Sequence, residues 1–436
     1  MGLGKLAVND RKDGFTLDRE SLGFWLADTC WSAFTSIELS DWEYYLARRA
    51  EQGINVLQVN TLPQWDRCRP DLGIYPYASE DGTVFDWSVP NEAYWERARE
   101  MCRMAVEHGI RPALVLLWCN YIPGTWGSMI AQKLGAPVMP FDEIRPHIER
   151  VVRHLGEFDP VYVVTGDTDF KSDEAIRYYE EGLSVVCELA PSALRCMHIN
   201  RANRTIPERF IDRLDFYMYQ PGHNYEGQSE AWKLPEDFRA SYPQKPLLNS
   251  EPCYEQMGAS RNVYWRFTAR DCRASAWSGI LSGAAAGLTY GAHGVWNWQA
   301  AQSKGSVLGE GFDMPFRWQE CLQFPGVWDY GMVPHVLNSL TEGGFHAVVP
   351  AQELLDDARE AIRVARVGDR VVAYLPRTTA LKLHGPFADM EAVAFDLEDK
   401  RVAHLPMRVD AQTGTTRVEQ HPFGHDALVI LKPAAH

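Results

Sequence analysis

The stretch NEAYWERAREMCRMAVEHGIRPALVLLW, residues 91–118, decides the fold class of this chain. Residues 91–108 predict an amphipathic helix that stops at Gly109, and the apolar run 113–118 predicts a buried strand directly after it. A helix followed at once by a short apolar strand is the repeating unit of α/β proteins. The number of such units therefore decides which α/β fold the chain forms.

The same unit recurs along residues 24–300. Strands are predicted over 24–27, 56–59, 113–118, 161–165, 194–199, 216–219, 246–250 and 287–291. The main helices are predicted over 41–52, with Ser40 as N-cap, and over 91–108, 141–155, 173–189 and 262–283. Eight units in roughly 280 residues predict a (β/α)8 TIM barrel. A doubly wound sheet is the alternative, but no G-x-G-x-x-G follows the first strand and no Walker loop occurs.

The pattern changes towards the C-terminus. Helices are predicted over 316–322 and 334–340, as a return segment after the barrel, and short β-like runs follow from residue 346. All 15 Trp lie between Trp25 and Trp328, so the last part of the chain differs from the rest in its aromatic composition. We predict a barrel domain over 1–345 and a small antiparallel β-sandwich domain over 346–436.

Composition excludes several classes of protein. The 58 acidic and 43 basic side chains leave a formal charge of −15, which disfavours nucleic-acid and anionic-membrane partners. No apolar run approaches the ~18–20 residues of a membrane span, and the first residues lack the apolar core of a signal peptide. The nine Cys are scattered without a CxxC pair, which favours buried thiols in a reducing compartment. We expect a cytoplasmic protein whose oligomeric state the sequence leaves open.

The residues that follow each predicted strand are the candidate site, because barrel enzymes carry their active sites at the C-terminal strand ends. Carboxylates and aromatic side chains dominate these positions. Sugars present an apolar face to Trp or Tyr and hydroxyls to polar groups, so this composition favours a carbohydrate substrate. Substrate contacts are expected from Asp28, Trp31, Asn60, Trp118, His198, Tyr219, His223, Tyr254, Glu255, Tyr290, His293 and Trp296.

A catalytic pair is expected in Asp167, after the fourth strand, and Glu251, after the seventh. Glycoside hydrolysis needs two carboxyl groups, and these two strands face each other across an eight-stranded barrel. Asp169 and Glu255 are the rival carboxylates. Alternatively, Asp167 or Asp169 caps the helix that starts near residue 173, and Glu251 pairs with an arginine.

No metal site and no cofactor are predicted. The chain has no H-E-x-x-H motif and no closely spaced Cys/His set, and the acidic cluster that begins at Asp167 lacks the glycine of an EF-hand loop. No G-x-S-x-G motif marks a serine hydrolase. The expected partner is a small glycoside or oligosaccharide.

Several longer motifs together resemble the apiosidase-like glycoside hydrolases of family 140 and their relatives. The motifs are FWLADTCW (24–31), RRAEQGINVLQV (48–59), Gly166-Asp167, KPLLNSEPCYE (245–255), GAAAGLTYGAHGVWNW (283–298) and LQFPGVWDYGMVPHVLNSL (322–340). The resemblance covers most of the chain. It implies a (β/α)8 barrel followed by a β-domain of the type labelled collagen-binding, although these residues themselves give no support to collagen binding.

The resemblance also implies a retaining exo-glycosidase with Asp167 as acid/base and Glu251 as nucleophile. The chain departs from the family pattern at Thr165, where relatives have Gly, and at Pro221, where relatives have Ser. We expect a terminal pentofuranoside substrate, such as an apioside or an arabinofuranoside. The alternatives are a barrel glycosidase that acts on a glucoside or other oligosaccharide, and a carbohydrate-binding protein without catalysis.

Overall fold

Eight parallel strands form a nearly closed barrel, which confirms the predicted fold class. The structure, a computed structural model, describes residues 3–18, 21–260, 263–305, 313–340, 348–357 and 359–434. The barrel strands are β1 (Trp25–Thr29), β2 (Val56–Asn60), β3 (Arg111–Trp118), β4 (Val161–Gly166), β5 (Arg195–Cys196), β6 (Tyr217–Tyr219), β7 (Leu247–Asn249) and β8 (Gly287–Tyr290). Their order in the sheet is β5-β4-β3-β2-β1-β8-β7-β6.

The barrel closes between β5 and β6 through individual backbone contacts. The Asp215 N–H donates to the Arg195 carbonyl at 2.9 Å, and the Ala202 N–H donates to the Gln220 carbonyl at 3.0 Å. The parallel register brings the C-terminal ends of all eight strands to one end of the barrel. The predicted site residues therefore lie at one mouth or in its wall.

Helices pack around the barrel, and two predicted helix starts are wrong. A one-turn helix spans Ala33–Ser36, and the other α-helices are α1 (Leu39–Glu51), α2 (Glu92–Glu107), α3 (Trp126–Lys133), α4 (Ile144–Leu155), α5 (Asp173–Leu189), α6 (Glu208–Ile211), α7 (Glu230–Ser241), α8 (Ala269–Leu281), α9 (Trp318–Cys321) and α10 (Gly326–Leu340). The N-cap of α1 is Glu38 rather than Ser40. Helix α10 starts before the predicted residue 334 and contains Pro334. Within the described ranges, each helix is too short or too polar to traverse a bilayer.

The predicted helix over 262–283 is also wrong in its first turns. A hairpin of Gly258–Ser260 and Val263–Arg266 precedes α8. The helix begins after Thr268 because Thr268 and Asp271 form a capping box, in which each side chain accepts the other residue's backbone N–H. The T-x-x-D spacing was the sequence signal for this boundary.

A small N-terminal sheet, which was not predicted from the sequence, packs on the end of the barrel opposite the C-terminal strand ends. Its strands are Leu6–Val8, Phe15–Leu17 and Ser21–Gly23. The Phe15 ring packs edge-to-face on Phe216, with 5.2 Å between ring centroids, and lies 6.3 Å from the Trp25 ring. Among the described residues, this sheet thus covers the N-terminal ends of β1 and β6 and leaves the C-terminal strand ends uncovered by it.

The C-terminal part forms two antiparallel sheets, as predicted. The strands are β9 (Val348–Pro350), β10 (Arg363–Val367), β11 (Arg370–Leu375), β12 (Leu381–His384), β13 (Met390–Asp396), β14 (Val402–Leu405), β15 (Met407–Asp410), β16 (Thr415–Val418) and β17 (Ala427–Pro433). The sheets have the orders β9-β10-β11-β17-β13-β14 and β12-β16-β15. The predicted boundary at 345/346 falls in 341–347, outside the described residues, so the division into 1–345 and 346–436 stays a prediction.

The larger of these two sheets is apolar on both faces, which explains how it joins the barrel. Along β11, Val371, Ala373 and Leu375 belong to the core shared with the smaller sheet. Val372 and Tyr374, which alternate with them, belong to the core of the barrel domain. The sheet therefore packs between the barrel and the smaller sheet.

Candidate active site

Asp167 is the first residue after β4, and its backbone is held in an uncommon conformation. Its φ of 54° lies in the left-handed region, which Asp tolerates better than most residues. The Trp126 indole N–H donates to its carbonyl at 2.8 Å. Gly166 precedes it because a Cβ there would overlap the Trp118 ring. These contacts fix the direction in which the Asp167 side chain leaves the strand.

The Asp167 carboxyl group is bound by an amide from the end of β6, which is separated from β4 by β5 around the barrel. The Gln220 side chain donates to Oδ1 of Asp167 at 2.6 Å and also to the Ile199 carbonyl at 2.9 Å. The Asp167 N–H donates to Nδ1 of His198 at 3.2 Å. Helix α5 has Ser172 as its N-cap, so the alternative in which Asp167 or Asp169 caps this helix is wrong.

Glu251, which follows β7, lies between two histidines. Its Oε1 is 2.8 Å from Nε2 of His223, and its Oε2 is 3.1 Å from Nε2 of His198. Because Nδ1 of His198 accepts the Asp167 N–H, the ring proton of His198 is assigned to Nε2, facing Glu251. One imidazole thus joins the two predicted catalytic residues. The alternative of an arginine partner for Glu251 is wrong.

The two carboxyl groups have opposite pKa shifts. Burial and the neighbouring Glu251 charge raise the pKa of Asp167 well above its usual range. Burial also acts to raise the pKa of Glu251, but the hydrogen bonds from His198 and His223 outweigh it and lower that pKa to about 2. Asp167 therefore keeps its proton to higher pH than an ordinary carboxyl group, whereas Glu251 ionises at lower pH than one. Such a split pair can supply an acid and a nucleophile in one site.

Five of the residues expected to contact substrate surround this pair. The Trp118 ring stacks beside His198 at 5.8 Å, and the Trp31 ring meets His198 edge-on at 5.6 Å. The Trp31 indole N–H donates to the Tyr254 hydroxyl at 3.1 Å, and the Tyr254 ring lies 4.2 Å from His223. Trp31 and Trp118 are only 1% and 4% exposed, so their rings pack against His198 and leave little surface for a substrate to contact.

Trp296 and His293 extend the aromatic wall beyond Tyr254. The Trp296 ring lies 6.3 Å from the Tyr254 ring, and its N–H donates to Nδ1 of His293 at 3.1 Å. The other nitrogen of His293 donates to the Asp313 carbonyl at 2.8 Å. Burial lowers the pKa of His293 to about 3, so it stays neutral and orients Trp296.

Asn60 offers unused hydrogen-bonding groups at the end of β2. Its backbone N–H donates to the Trp31 carbonyl at 3.1 Å. Its side chain is buried, and neither carboxamide atom has a hydrogen-bond partner among the described residues. Buried amides are normally satisfied, so this one fits a role in binding a ligand or an ordered water.

Four of the expected contacts are corrected by the structure, because their side chains point away from the mouth. The first is Asp28, which lies fully buried between β1 and α1, where Arg49 Nε (2.6 Å) and the Tyr45 hydroxyl (2.7 Å) bind it. The buried Asp28 carboxylate therefore has protein partners and needs no ligand.

The other three corrected residues are Tyr219, Tyr290 and Glu255. The Tyr219 hydroxyl donates to the Ala231 carbonyl in α7 at 3.0 Å. The Tyr290 hydroxyl donates to Glu255 at 2.6 Å, and the Gly326 N–H donates to the same carboxylate oxygen at 2.9 Å. Side chains alternate between the faces of a strand, so Tyr219 and Tyr290 lie on the outer face of the barrel.

Sequence reasoning missed two contributors to the site, Gln220 and Trp126. The same alternation was a signal for Gln220, because Tyr219 faces outward and the next residue must then face the mouth. Trp126 lies in the first turn of α3, and no sequence pattern links it to Asp167. The rival carboxylate Asp169 pairs with Lys171 at 2.9 Å.

Comparisons with known proteins agree with this architecture. The family model described as "Apiosidase-like, catalytic domain" matches residues 12–342. A solved glycoside hydrolase shares 20% identity, with 99% of this chain and 98% of that chain covered and a TM-score of 0.77. A glycoside hydrolase family 5 structure from Bacteroides vulgatus shares 20% identity, covering 99% of this chain and 94% of that chain, with a TM-score of 0.79. No curated protein matches the sequence.

Proposed function

The chain belongs to the family of apiosidase-like glycoside hydrolases, and from this premise we propose that it removes a terminal pentofuranose from a glycoside with retention of configuration. Family membership makes the protein a glycosidase. The family's description supports apiose as the five-membered sugar, and arabinofuranose is the related furanose that the proposal also includes. The catalytic roles are supported by the site itself.

In the proposed mechanism, Asp167 and Glu251 act on opposite ends of the scissile bond. Glu251 attacks the anomeric carbon while Asp167 gives its proton to the leaving oxygen, which yields a glycosyl ester on Glu251 and a free alcohol. Asp167, now ionised, takes a proton from water, and the resulting hydroxide displaces Glu251. The sugar leaves with its original configuration, and both side chains return to their starting charge.

The split in pKa between the two carboxyl groups carries this proposal. An acid must hold its proton and a nucleophile must be ionised at the same pH, and the opposite pKa shifts of Asp167 and Glu251 favour this division of roles. His198 and His223 stabilise the carboxylate, and Gln220 orients the acid. The stereochemical part of the proposal makes a geometric requirement. Retention requires the two carboxyl groups to lie about 5–5.5 Å apart, whereas inversion requires about 6.5–9.5 Å.

Leaving-group dependence tests the two roles separately. Asp167→Ala should slow hydrolysis of alkyl furanosides by at least about 100-fold, but slow nitrophenyl furanosides less, because a good leaving group needs no acid. Glu251→Ala should abolish turnover of both kinds, by at least about 1000-fold. Asp169→Ala is the matched control and should keep activity. NMR of the first-formed sugar anomer reports retention or inversion.

Three outcomes would overturn parts of the proposal. Full activity in either carboxylate variant would remove that residue from the mechanism. Turnover of aryl glucosides but not furanosides would replace the proposed substrate. A wild-type protein that binds sugars and hydrolyses none of the panel would be a carbohydrate-binding protein. Circular dichroism of each variant separates lost chemistry from lost folding.

A further inference from the structure

Two buried carboxamides near the barrel mouth have no partner for either polar atom. They belong to Asn60, which ends β2, and to Asn297, in the loop after β8. These residues are 3% and 0% exposed, and the oxygen and nitrogen of both side chains lack a hydrogen bond among the described residues. Buried polar groups are nearly always paired, so the two side chains indicate a ligand that supplies the missing hydrogen bonds.

The alternation of side chains along β2 places the Asn60 carboxamide inside the barrel. Gln58, on the same strand, donates to the Ser250 carbonyl across the barrel at 2.9 Å. Residues two apart in a strand share a face, so Asn60 points to the same interior and lies one step nearer the mouth. Ser250 directly precedes Glu251. The Asn60 carboxamide therefore lies on the side of the site where the proposed nucleophile meets the sugar.

Asn297 belongs to a loop on this same side of the mouth. Its carbonyl accepts the backbone N–H of Cys68, in the loop after β2, at 2.9 Å. The Cys30 thiol, directly after β1, lies 3.8 Å from the Val295 carbonyl. Strands β8, β1 and β2 are neighbours in the barrel sheet, so both carboxamides come from one side of the barrel.

The chemistry of the two side chains favours an uncharged polyol. A carboxamide carries an acceptor oxygen and a donor nitrogen side by side, and a sugar hydroxyl both accepts and donates. Two hydroxyls on adjacent carbons can therefore satisfy both atoms of one carboxamide. A carboxylate or an ammonium group would satisfy only one of the two atoms.

We propose that Asn60 and Asn297 are specificity-determining residues that bind hydroxyl groups of the furanose held against Glu251. The inference rests on the proposed function, because Glu251 must be the nucleophile for the furanose to lie on this side. A site built to hydrogen-bond a hydroxyl rejects an analogue that lacks it by up to about 10⁴–10⁵-fold, since the buried polar group is left unpaired. The protein should therefore discriminate against deoxyfuranosides.

The kinetic test compares a nitrophenyl furanoside with its 2-deoxy and 3-deoxy analogues. In wild-type protein, kcat/KM relative to the uncatalysed rate should fall at least about 100-fold when a bound hydroxyl is missing. In Asn60→Leu and in Asn297→Leu, at least one of these two falls should shrink about tenfold, because the partner of that hydroxyl is gone. Asn338→Leu, at an exposed position of α10, is the matched control and should keep the wild-type discrimination.

Thermal unfolding of the free protein separates ligand binding from a structural role. Leu resembles Asn in shape and has no polar atom, so it removes two unpaired groups from the interior without leaving a cavity. The melting temperature of each Leu variant should therefore stay at or above the wild-type value. Asn60→Ala and Asn297→Ala repeat the comparison if a Leu variant does not fold.

Two results would overturn the inference. Wild-type discrimination in both Leu variants would show that the carboxamides hold only ordered water. A lowered melting temperature, with rates reduced equally on all three substrates, would show that they hold the loops together.

A binding measurement keeps this inference apart from the proposed function. NMR saturation transfer to the methyl furanoside needs no turnover. If wild-type protein hydrolyses none of the nitrophenyl substrates, the proposed function fails, and a methyl furanoside signal that is lost in the Leu variants still supports hydroxyl recognition. No signal with wild-type protein would overturn both proposals. If the substrates are hydrolysed with wild-type discrimination in both Leu variants, only this inference fails.

Discussion

Glu251 keeps its negative charge because two imidazole side chains contact its carboxylate. His198 holds one carboxylate oxygen and His223 the other. His198 also accepts the Asp167 backbone N–H, so the position of its ring depends on Asp167. Asp167 is also the residue whose pKa shift is opposite to that of Glu251. A small number of single-residue contacts thus gives the two carboxyl groups their opposite pKa shifts.

At the scale of single residues, His223→Ala should shift the acidic limb of the pH profile of kcat/KM to higher pH. Loss of one hydrogen bond to the carboxylate raises the Glu251 pKa from about 2 by about 1–2 pH units, since such a bond contributes about 1.5–3 kcal/mol. The pH dependence of kcat/KM measures the shift. His404→Ala, at an exposed histidine of β14, is the control, and an unmoved acidic limb in His223→Ala would contradict the prediction.

Single carboxylates also connect whole elements. Glu255 follows the loop that carries Glu251, and it accepts hydrogen bonds from Tyr290 at the end of β8 and from the Gly326 N–H at the start of α10. Burial raises the pKa of Glu255 to about 7. A group that the sequence suggested for substrate contact instead joins a loop, a strand and a helix.

The raised pKa of Glu255 predicts a measurable dependence of the free energy of unfolding on pH. Between about pH 4.5 and 7 the folded protein keeps the Glu255 proton that the unfolded chain has lost, so the free energy of unfolding falls as pH rises through this range. The contribution is up to about 3 kcal/mol. Glu255→Gln, which cannot ionise, should show a smaller fall in denaturant titrations across this range.

The surface variant Glu353→Gln provides the matched control for this series, because Glu353 is exposed. Its unfolding free energy should follow the wild-type pH dependence. Parallel curves for wild-type and Glu255→Gln proteins would show that Glu255 does not retain a proton in the folded state.

At the scale of the whole molecule, Arg273 of α8 joins the barrel to the C-terminal sheets. Its guanidinium binds Asp426 at 2.8 Å, Asp329 at 2.7 Å and Glu398 at 2.9 Å. Arg273 and Asp426 are both buried, and Tyr374 also donates to Asp426 at 3.3 Å. Since α8 follows β7 and its loop, the C-terminal domain supports the element behind Glu251.

Arg273→Met should destabilise the protein by about 3–5 kcal/mol, because it leaves the Asp426 carboxylate buried without its cation. Chemical denaturation measures the loss, and hydrogen exchange in β11 and β17 should rise. The double variant Arg273→Met/Asp426→Asn should recover part of the stability. Arg408→Met, at an arginine whose side chain is 82% exposed, should change little, and a similar loss there would contradict the assignment.

Much of the fold could be predicted because local patterns determine it. Apolar runs, glycine stops and helix spacing located all eight barrel strands, since each unit buries its own apolar face. Predictions were wrong where two local signals compete. Before α8, for example, the apolar pattern predicts an earlier helix start, but the capping box of Thr268 and Asp271 places it after the hairpin. The N-terminal sheet was missed because its strands are only three residues long.

By itself, the sequence determined the barrel, the C-terminal sheets and the strand ends at which Asp167 and Glu251 stand, because strand order and side-chain alternation follow from the chain. Only the tertiary structure decided which polar residues face the mouth. Asp28 and Glu255 were expected after strand ends just as Asp167 and Glu251 were, yet they bind Arg49 and Tyr290 outside the mouth. Charge and pKa depend on neighbours from distant segments, and only packing brings those neighbours together.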